Sequence, residues 1–356
     1  MDLPVLKVIQ RNFVKELETA KSGKKSSLSF IVNQLPTTAL VKDGQLFQVL
    51  SIGGGVTKVA LIKKQKGTHC LLKQLTFQQP PFKTLQDFLS CVETHLAPSV
   101  TTLALNFAQA ITPVFKHNRL DGILLNGTKE SAFKGLIGKA VGQTIEAYFA
   151  KKGRRITVSL ANDAVCLLLS GLIKYPWREL AGGIVGTGVN FSFFTTENHI
   201  INLEAGNFNK FPQTEEGKLI DKASVRPGSS LFEKETSGAY LYKHFNHMIE
   251  KQKVSFPPLS ETKELDIVML TGKPAVSKLA QNTIRQSAQL IACQIAGITR
   301  FKQTDITFVM EGSLFWKGLS YKQIVEETVK KLVPEYTVTF VEIPNSPIIG
   351  ATKLVS

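Results

Sequence analysis

Twice in this chain an apolar run breaks on a glycine turn and resumes as a second apolar run. The first is SIGGGVTKVALI, Ser51 to Ile62; the second is GGIVGTGVNFSFF, Gly182 to Phe194. Runs of this kind joined by glycine read as β-hairpins. Each is the start of a longer theme. LFQVLSIGGGVTKVALIKK and THCLLKQLTF predict three successive strands, then a helix over LQDFLSCVETHLA and a strand at VTTLALNFA. LAGGIVGTGVNFSFFTTENHIINLEAGNF repeats strand, glycine turn, strand, strand. The order β-β-β-α-β-α thus begins near residue 47 and again near residue 181. A duplicated unit of this size predicts an α/β architecture of two similar lobes facing each other across a cleft, the kind of place where ligands bind.

Between the two themes, DGILLNGTKESAFKGLIGKAVGQTIEAYFAKKG predicts an apolar run, a polar turn and a helix closed by Gly153. RITVSLANDAVCLLLSGLI predicts a strand, a polar corner and a helix. At the N-terminus, Val5, Val8, Ile9, Phe13 and Leu17 recur at helical spacing and predict an amphipathic helix over residues 5 to 21.

Composition narrows the function classes. The chain has 356 residues, enough for two domains, with 43% hydrophobic and 20% charged residues. Its net charge of +15 favours anionic partners. That charge is scattered in short groups, KSGKK, KKQK and KKGRR, without interleaved aromatics, which argues against a nucleic-acid interface. The longest apolar run, AVCLLLSGLI, is about ten residues and too short to span a bilayer. The opening MDLPVLKVIQRNF lacks a basic-then-apolar signal pattern, so the cytoplasm is the expected setting. Cys70, Cys91, Cys166 and Cys293 lie far apart, which indicates neither a disulfide framework nor a zinc site. His244 and His247 have helical spacing, but no carboxylate in the sequence pattern joins them, and no residue is assigned to a metal.

Candidate chemistry concentrates at polar corners. Asn162 and Asp163 fall where a strand ends and a helix begins. There Asp163 is either a helix N-cap or a carboxylate able to take a proton from a hydroxyl. Gly186, Thr187 and Gly188 form a turn whose N–H groups and hydroxyl suit a phosphate oxygen. Asn190 follows it. Glu204 sits in INLEAGNF and Glu233 in PGSSLFEKETSGAYL. With Thr128 and Lys129 these groups suit a polyhydroxylated ring, because carboxylates and amides pair well with vicinal hydroxyls.

In this order the pieces resemble the eukaryotic-type hexokinase/glucokinase family of the actin-like ATPase (ribonuclease H-like) superfamily. LSIGGGVTKVALI resembles the family's LDLGGTNFRVLLV, GILLNGTKESAFKG resembles GILLNWTKGFKASG, and LANDAV resembles VNDTV. VGTGVN, INLEAGNF, PGSSLFEKETSGAYL and VMEGSLFWK have counterparts too, so the resemblance covers nearly the whole chain.

The resemblance implies a two-lobe fold, with a small lobe of residues 48–162 plus a final helix 347–356, and a large lobe of residues 1–47 and 163–346. It implies transfer of the γ-phosphoryl of MgATP to the 6-hydroxyl of glucose or a related hexose. Asp163 would be the base. Thr128, Lys129, Asn162, Asn190, Glu204 and Glu233 would hold the sugar, and Lys129 would also offset charge on the moving phosphoryl group. Gly53, Gly54, Gly55, Gly186, Thr187, Gly188, Gly312 and Ser313 would face the nucleotide.

Departures cluster at the first turn, where the family's Asp, Thr, Asn and Arg are Ser51, Gly55, Val56 and Lys58. The family's late nucleotide motif corresponds to SPIIGATKL, its sugar segment to LALNFAQAITP, and a Trp before the Thr-Lys pair to Gly127. By the resemblance, that first turn is degraded as a metal and phosphate site. A hexose kinase and a sugar-binding regulatory protein with little kinase activity therefore both remain open.

Overall fold

The computed structural model describes residues 1–53, 55–127 and 131–356. Gly54, Thr128 and Lys129 therefore lie outside the described residues. In chain order the elements begin with α1 (Leu3–Lys21), β1 (Ile31–Gln34), β2 (Leu46–Ile52), β3 (Val56–Gln65), β4 (Thr68–Gln78), α2 (Leu85–His95), β5 (Thr102–Phe107), β6 (Ile111–Lys116), β7 (Arg119–Leu124), α3 (Val141–Lys151), β8 (Thr157–Asn162) and α4 (Asp163–Ser170). They continue with β9 (Leu180–Val185), β10 (Val189–Thr196), β11 (His199–Asn202), α5 (Glu215–Lys222), α6 (Leu231–Thr236), α7 (Leu241–Lys251), α8 (Glu264–Thr271), α9 (Pro274–Lys302), β12 (Ile306–Glu311), α10 (Ser313–Lys317), α11 (Tyr321–Leu332), β13 (Val338–Val341) and α12 (Ser346–Thr352).

The chain divides into two compact units. One holds residues 31–182, 192–202 and 343–356. Its main sheet has the order β4-β3-β2-β5-β8, with β2, β5 and β8 parallel and β2, β3 and β4 antiparallel. Both β2 and β5 are buried along almost their whole length, as strands covered on two faces must be. On one face Phe82, Phe88, Phe107 and Phe133 pack with ring centroids 5.6–6.0 Å apart. The helix α2 that carries Phe88 starts on a capping box between Thr84 and Asp87. The same unit contains β1, β11 and the second half of β10, paired antiparallel.

The other unit holds residues 1–30, 183–191 and 203–342. Its strands follow the order β10-β9-β12-β13, with β12 and β13 parallel. Its spine is α9, 29 residues from Pro274 at the first turn to the left-handed Gln303 that stops it. α1 lies close on α9, because a side chain at Gly297 would meet Phe13 at 2.5 Å.

Two readings of the sequence need correction here. Val5 and Val8 do not join the buried stripe of α1; they are exposed, and Leu6 is buried with Ile9, Phe13 and Leu17. The second is that the periodicity gave no warning of the β6–β7 hairpin. Its two-residue turn, His117–Asn118, has both residues left-handed (φ 51° and 55°), the turn whose twist suits paired strands.

Candidate active site

In the first unit the carboxyl ends of the parallel strands come level. Ser51 stands beside Asn106 and Asn106 beside Ala161; one residue on, Ile52, Phe107 and Asn162 align. Ligands of open parallel sheets bind at such an edge. Asn162 is 5% exposed and caps α4: its Oδ1 accepts from the Ala164 N–H at 3.0 Å, and its Nδ2 donates to the Gln109 carbonyl at 3.3 Å. The capping role thus belongs to Asn162, while Asp163 is the first helical residue and is only partly buried. The Ala164 N–H also reaches Asp163 Oδ1, at 2.9 Å.

The turn after β2 is closed on itself. The Gly53 N–H donates to Val56 O at 3.1 Å, the Gly55 N–H to Gly53 O at 2.9 Å, and Gln79 N–H holds Gly55 O at 2.8 Å. Gly55 has φ +90°, which calls for glycine. Behind it, buried Ser51 accepts from Asn106 Nδ2 at 2.9 Å, and Asn106 Oδ1 is buried with no partner among the described residues. The sequence reading missed Asn106. Its signal was weak: one polar residue inside an apolar strand, in LALNF. Gly127, standing where the family has Trp, has no room for a side chain, since a Cβ would lie 2.6 Å from Ser131 O.

The second unit gathers Asn190, Glu204, Glu233 and the Gly186–Gly188 turn. The Val189 N–H donates to Glu233 Oε2 at 3.1 Å. Asn190 Oδ1 accepts from Phe191 N at 2.8 Å and Ala205 N at 3.2 Å, which ties the strand to the residue after Glu204. Burial pushes the Glu233 carboxyl above the usual range; the negative charge of Glu204 adds to this, while the Val189 N–H and Lys234 oppose it. Space around these glycines is tight. A Cβ on Gly188 would lie 2.9 Å from Glu233 Oε2, and one on Gly186 3.3 Å from Gly312 Cα. Gly238 N donates to Gly186 O at 2.7 Å.

A cavity of about 400 Å³ opens beside this turn, lined among others by Gly186, Thr187, Gly238, Thr262, Ser313 and Lys317. That volume is typical of a small-molecule site. Thr262 carries no motif that sequence reading could find, and Lys317 closes the VMEGSLFWK motif without having been singled out. Asp221 is unsuited to a metal, being bound by Lys234 Nζ and the Gly228 N–H. Among the described residues no group of three or more His, Cys, Asp or Glu side chains could hold a metal ion.

A sequence profile for hexokinase matches residues 180–266 and 246–355. A hexokinase of Emericella nidulans is 26% identical over 94% of this chain and 82% of its own length. Hexokinase-7 of Oryza sativa subsp. japonica is 27% identical over 63% of this chain and 61% of its own, and hexokinase-1 of Saccharomyces cerevisiae 26% over 68% and 57%. The solved hexokinase of Schistosoma mansoni complexed with glucose superposes with a TM-score of 0.80 at 18% identity, covering 100% of this chain and 95% of that one. A ROK hexokinase from Thermus thermophilus gives 0.59 at 14% identity, covering 87% and 98%. The fold is that of the actin-like ATPases, in the form used by sugar kinases. Within that class the chain is a divergent member of the hexokinase family.

Proposed function

We propose that this chain transfers the γ-phosphoryl group of MgATP to the 6-hydroxyl of glucose or a closely related hexose, in the cytoplasm. The observation that carries the reading is the Val189 N–H to Glu233 Oε2 contact. It holds a buried carboxylate, of a kind suited to hydroxyls, one residue from a glycine turn that suits phosphate, and this supports the reading.

In this reading Asn190, Glu204 and Glu233 hold sugar hydroxyls, and Thr187, Gly188, Gly312 and Ser313 face the nucleotide. Asn162 and Asp163 engage the 6-hydroxyl. Asp163 accepts its proton as the oxygen bonds to the γ-phosphorus and the bond to the bridging oxygen of ADP breaks. Thr128 and Lys129 complete the sugar contacts, with the Lys129 ammonium offsetting charge on the moving group. Mg²⁺, when bound, supplies positive charge across the phosphate oxygens. At the sheet edge the Ser51 hydroxyl and Asn106 Oδ1, which has no partner among the described residues, are neutral oxygens. They suit a cation that arrives on a nucleotide and keeps its waters better than one held by protein alone.

The test is a coupled assay with glucose and MgATP beside calorimetric glucose titration. Turnover with saturable glucose heat is the expected result. Absence of glucose heat at millimolar concentration overturns the hexose assignment. Glucose heat without turnover would establish the sugar-binding regulatory protein instead.

A further inference from the structure

Glu204 has a backbone that glutamate rarely adopts. Its φ of 48° and ψ of 50° lie in the left-handed region, where a Cβ crowds the following carbonyl. Strain of this kind persists only where the surroundings fix the chain, and such places cluster at functional sites. Here the chain is fixed on both sides. Before Glu204, the Leu203 N–H donates to the Phe191 carbonyl at 3.1 Å, and the Leu203 carbonyl accepts from the Ser29 N–H at 3.0 Å. After it comes the short turn Ala205–Asn207. The Ala205 N–H donates to Asn190 Oδ1 at 3.2 Å, and the Ala205 carbonyl accepts from Gln294 Nε2, deep in α9, at 3.1 Å. The Phe208 N–H reaches the same carbonyl at 3.2 Å.

Gln294 is costly where it stands. It is fully buried, and its neighbours one turn away on α9, Leu290, Ile291, Gly297 and Ile298, are buried and apolar. Its Oε1 is buried with no hydrogen-bond partner among the described residues. An amide oxygen left so opposes folding, and leucine or methionine would fill the place without that penalty. What glutamine adds is its other end, the Nε2 bond to the Ala205 carbonyl. Gln10 of α1 gives the contrast within the same core. It is also buried, and its Nε2 donates to the Ala296 carbonyl at 3.3 Å, but that bond joins helix to helix and touches no residue of the turn.

We infer that Gln294 is a positioning residue for Glu204: by holding the Ala205 carbonyl it keeps the strained turn, and with it the Glu204 carboxylate, in place beside Glu233. Gly206 of the same turn packs against Glu233, since a Cβ there would lie 3.0 Å from Glu233 Cβ. The turn and α6 thus set the separation of two carboxylates. Two carboxylates at a fixed separation can accept from neighbouring hydroxyls of one ring, and a loose one cannot do so without losing freedom on binding. Gln294 itself touches no substrate and acts through the backbone of the turn. The consequence for sugar rests on the hexose reading, whereas the hold on Glu204 does not.

The test uses the full chain and compares Gln294→Met, close in size but without the amide, with Gln10→Met as control. Amide hydrogen exchange over residues 203–208 is measured without sugar, glucose affinity by calorimetry, and kinetics by the coupled assay. Gln294→Met should melt no lower than the parent, because the orphan oxygen leaves with the amide and the Ala205 carbonyl keeps the Phe208 N–H. The Ala205, Asn207 and Phe208 amides should exchange about tenfold faster, the equivalent of one hydrogen bond lost from the local structure. The Kd and KM for glucose should rise by a similar factor, about tenfold, with kcat and the KM for MgATP near parent values, the pattern of binding lost equally from ground and transition states. Gln294→Asn, one methylene shorter, should behave alike, and Gln10→Met should change neither the exchange nor the glucose affinity. Parent-rate exchange at the turn in Gln294→Met would overturn the inference, and so would faster exchange with glucose affinity unchanged. A parent that gives no glucose heat sinks the hexose reading instead, and the exchange measurement then decides the hold on Glu204 by itself. If neither variant folds, the parent decides: the Gln294 side-chain amide signals should move as glucose saturates, and signals indifferent to bound glucose would overturn the inference.

Discussion

The two glycine turns look alike in sequence and are built on different grounds. Around Gly186–Gly188 the glycines are there because neighbours from distant segments press on them. Glu233 abuts Gly188, Gly312 abuts Gly186, and Gly238 bonds the turn's carbonyl. Around Gly53–Gly55 there is open space: a Cβ at Gly53 meets only Val56 O at 3.5 Å, and one at Gly55 meets nothing within 4 Å. There the N–H groups of Gly53 and Gly55 are spent on the turn itself, and the side chains behind it, Ser51 and Asn106, are neutral. A glycine pattern announces a tight turn in both places. What the turn can bind is decided by the residues that other segments bring to it.

The sharpest way to break this contrast is a pair of alanine substitutions. Gly312→Ala places a Cβ 2.1 Å from the Val185 carbonyl at φ +123°, a clash and a strained backbone together. It should cost more than about 4 kcal/mol, in the exceptional range for one residue. Gly53→Ala should cost under about 1 kcal/mol. Denaturant unfolding of both variants checks this. Equal losses would show that the second turn is no more constrained than the first.

Next in size is Asp163→Asn. Asn162 already caps α4, so the variant should keep its melting temperature while kinase turnover falls by roughly 10²–10⁴-fold. Parent-level turnover would remove Asp163 from the role of base. A collapse in stability with turnover per folded molecule unchanged would return it to a structural one.

Much of the fold was legible because it rests on local pattern. The three-strand openings, α2, β8 and α4 fall where alternation and glycine put them, and the ordered motifs carry the family. What stayed hidden depends on long-range contact. Asn106 becomes interesting only because parallel pairing sets it beside Ser51, 55 positions away in sequence. Thr262 reaches the cavity at Gly186 from the turn before α8, where no local signal directs it. Gly350 survives in SPIIGATKL, and the structure gives a packing reason for it, the Cys166 carbonyl of α4. Asp163 shows the converse: a cap or a base in sequence terms, it was separated from the capping role only when Asn162 was seen to hold the Ala164 N–H.

Glu233 tests the occupied character of the second turn more gently. Its folded-state proton affinity is raised by burial and by Glu204, with Lys234 and the Val189 N–H opposing. Between the ordinary carboxylate value near 4.5 and that raised value, the folded chain holds more protons than the unfolded one. This group's contribution to stability therefore falls as pH rises through that window. Hexose hydroxyls donate to the ionised form, so glucose affinity should fall as the solution is acidified through the same window, with proton release on binding. Glu233→Gln should weaken glucose by about 1.5–3 kcal/mol and flatten the pH dependence. Calorimetry in buffers of different ionisation enthalpy measures both. A parent affinity independent of pH across this range would take Glu233 out of the sugar site.

The smallest effect belongs to the first turn. Ser51→Asp puts a carboxylate beside Asn106 Nδ2, a donor already 2.9 Å from the Ser51 hydroxyl, so the new charge meets a partner rather than an apolar wall. Combined with Gly55→Thr and Val56→Asn it restores three of the family's four side chains at this turn, Lys58 remaining in place of the Arg. Gly55→Thr carries a backbone penalty, because φ is +90° there, so Ser51→Asp with Val56→Asn alone is the cleaner variant. A charged oxygen near the phosphates should strengthen divalent-metal binding, since hard cations favour carboxylates. The gain should be several-fold in turnover at limiting Mg²⁺, with a matching drop in the Mn²⁺ concentration needed to saturate ADP-bound protein, read by magnetic resonance. Tighter Mn²⁺ with no change in turnover would mean that metal capture at this turn does not limit phosphoryl transfer. A repair that lowers both would show that Ser51 and Asn106 form a working arrangement of their own, and the two turns would then differ in design rather than in competence.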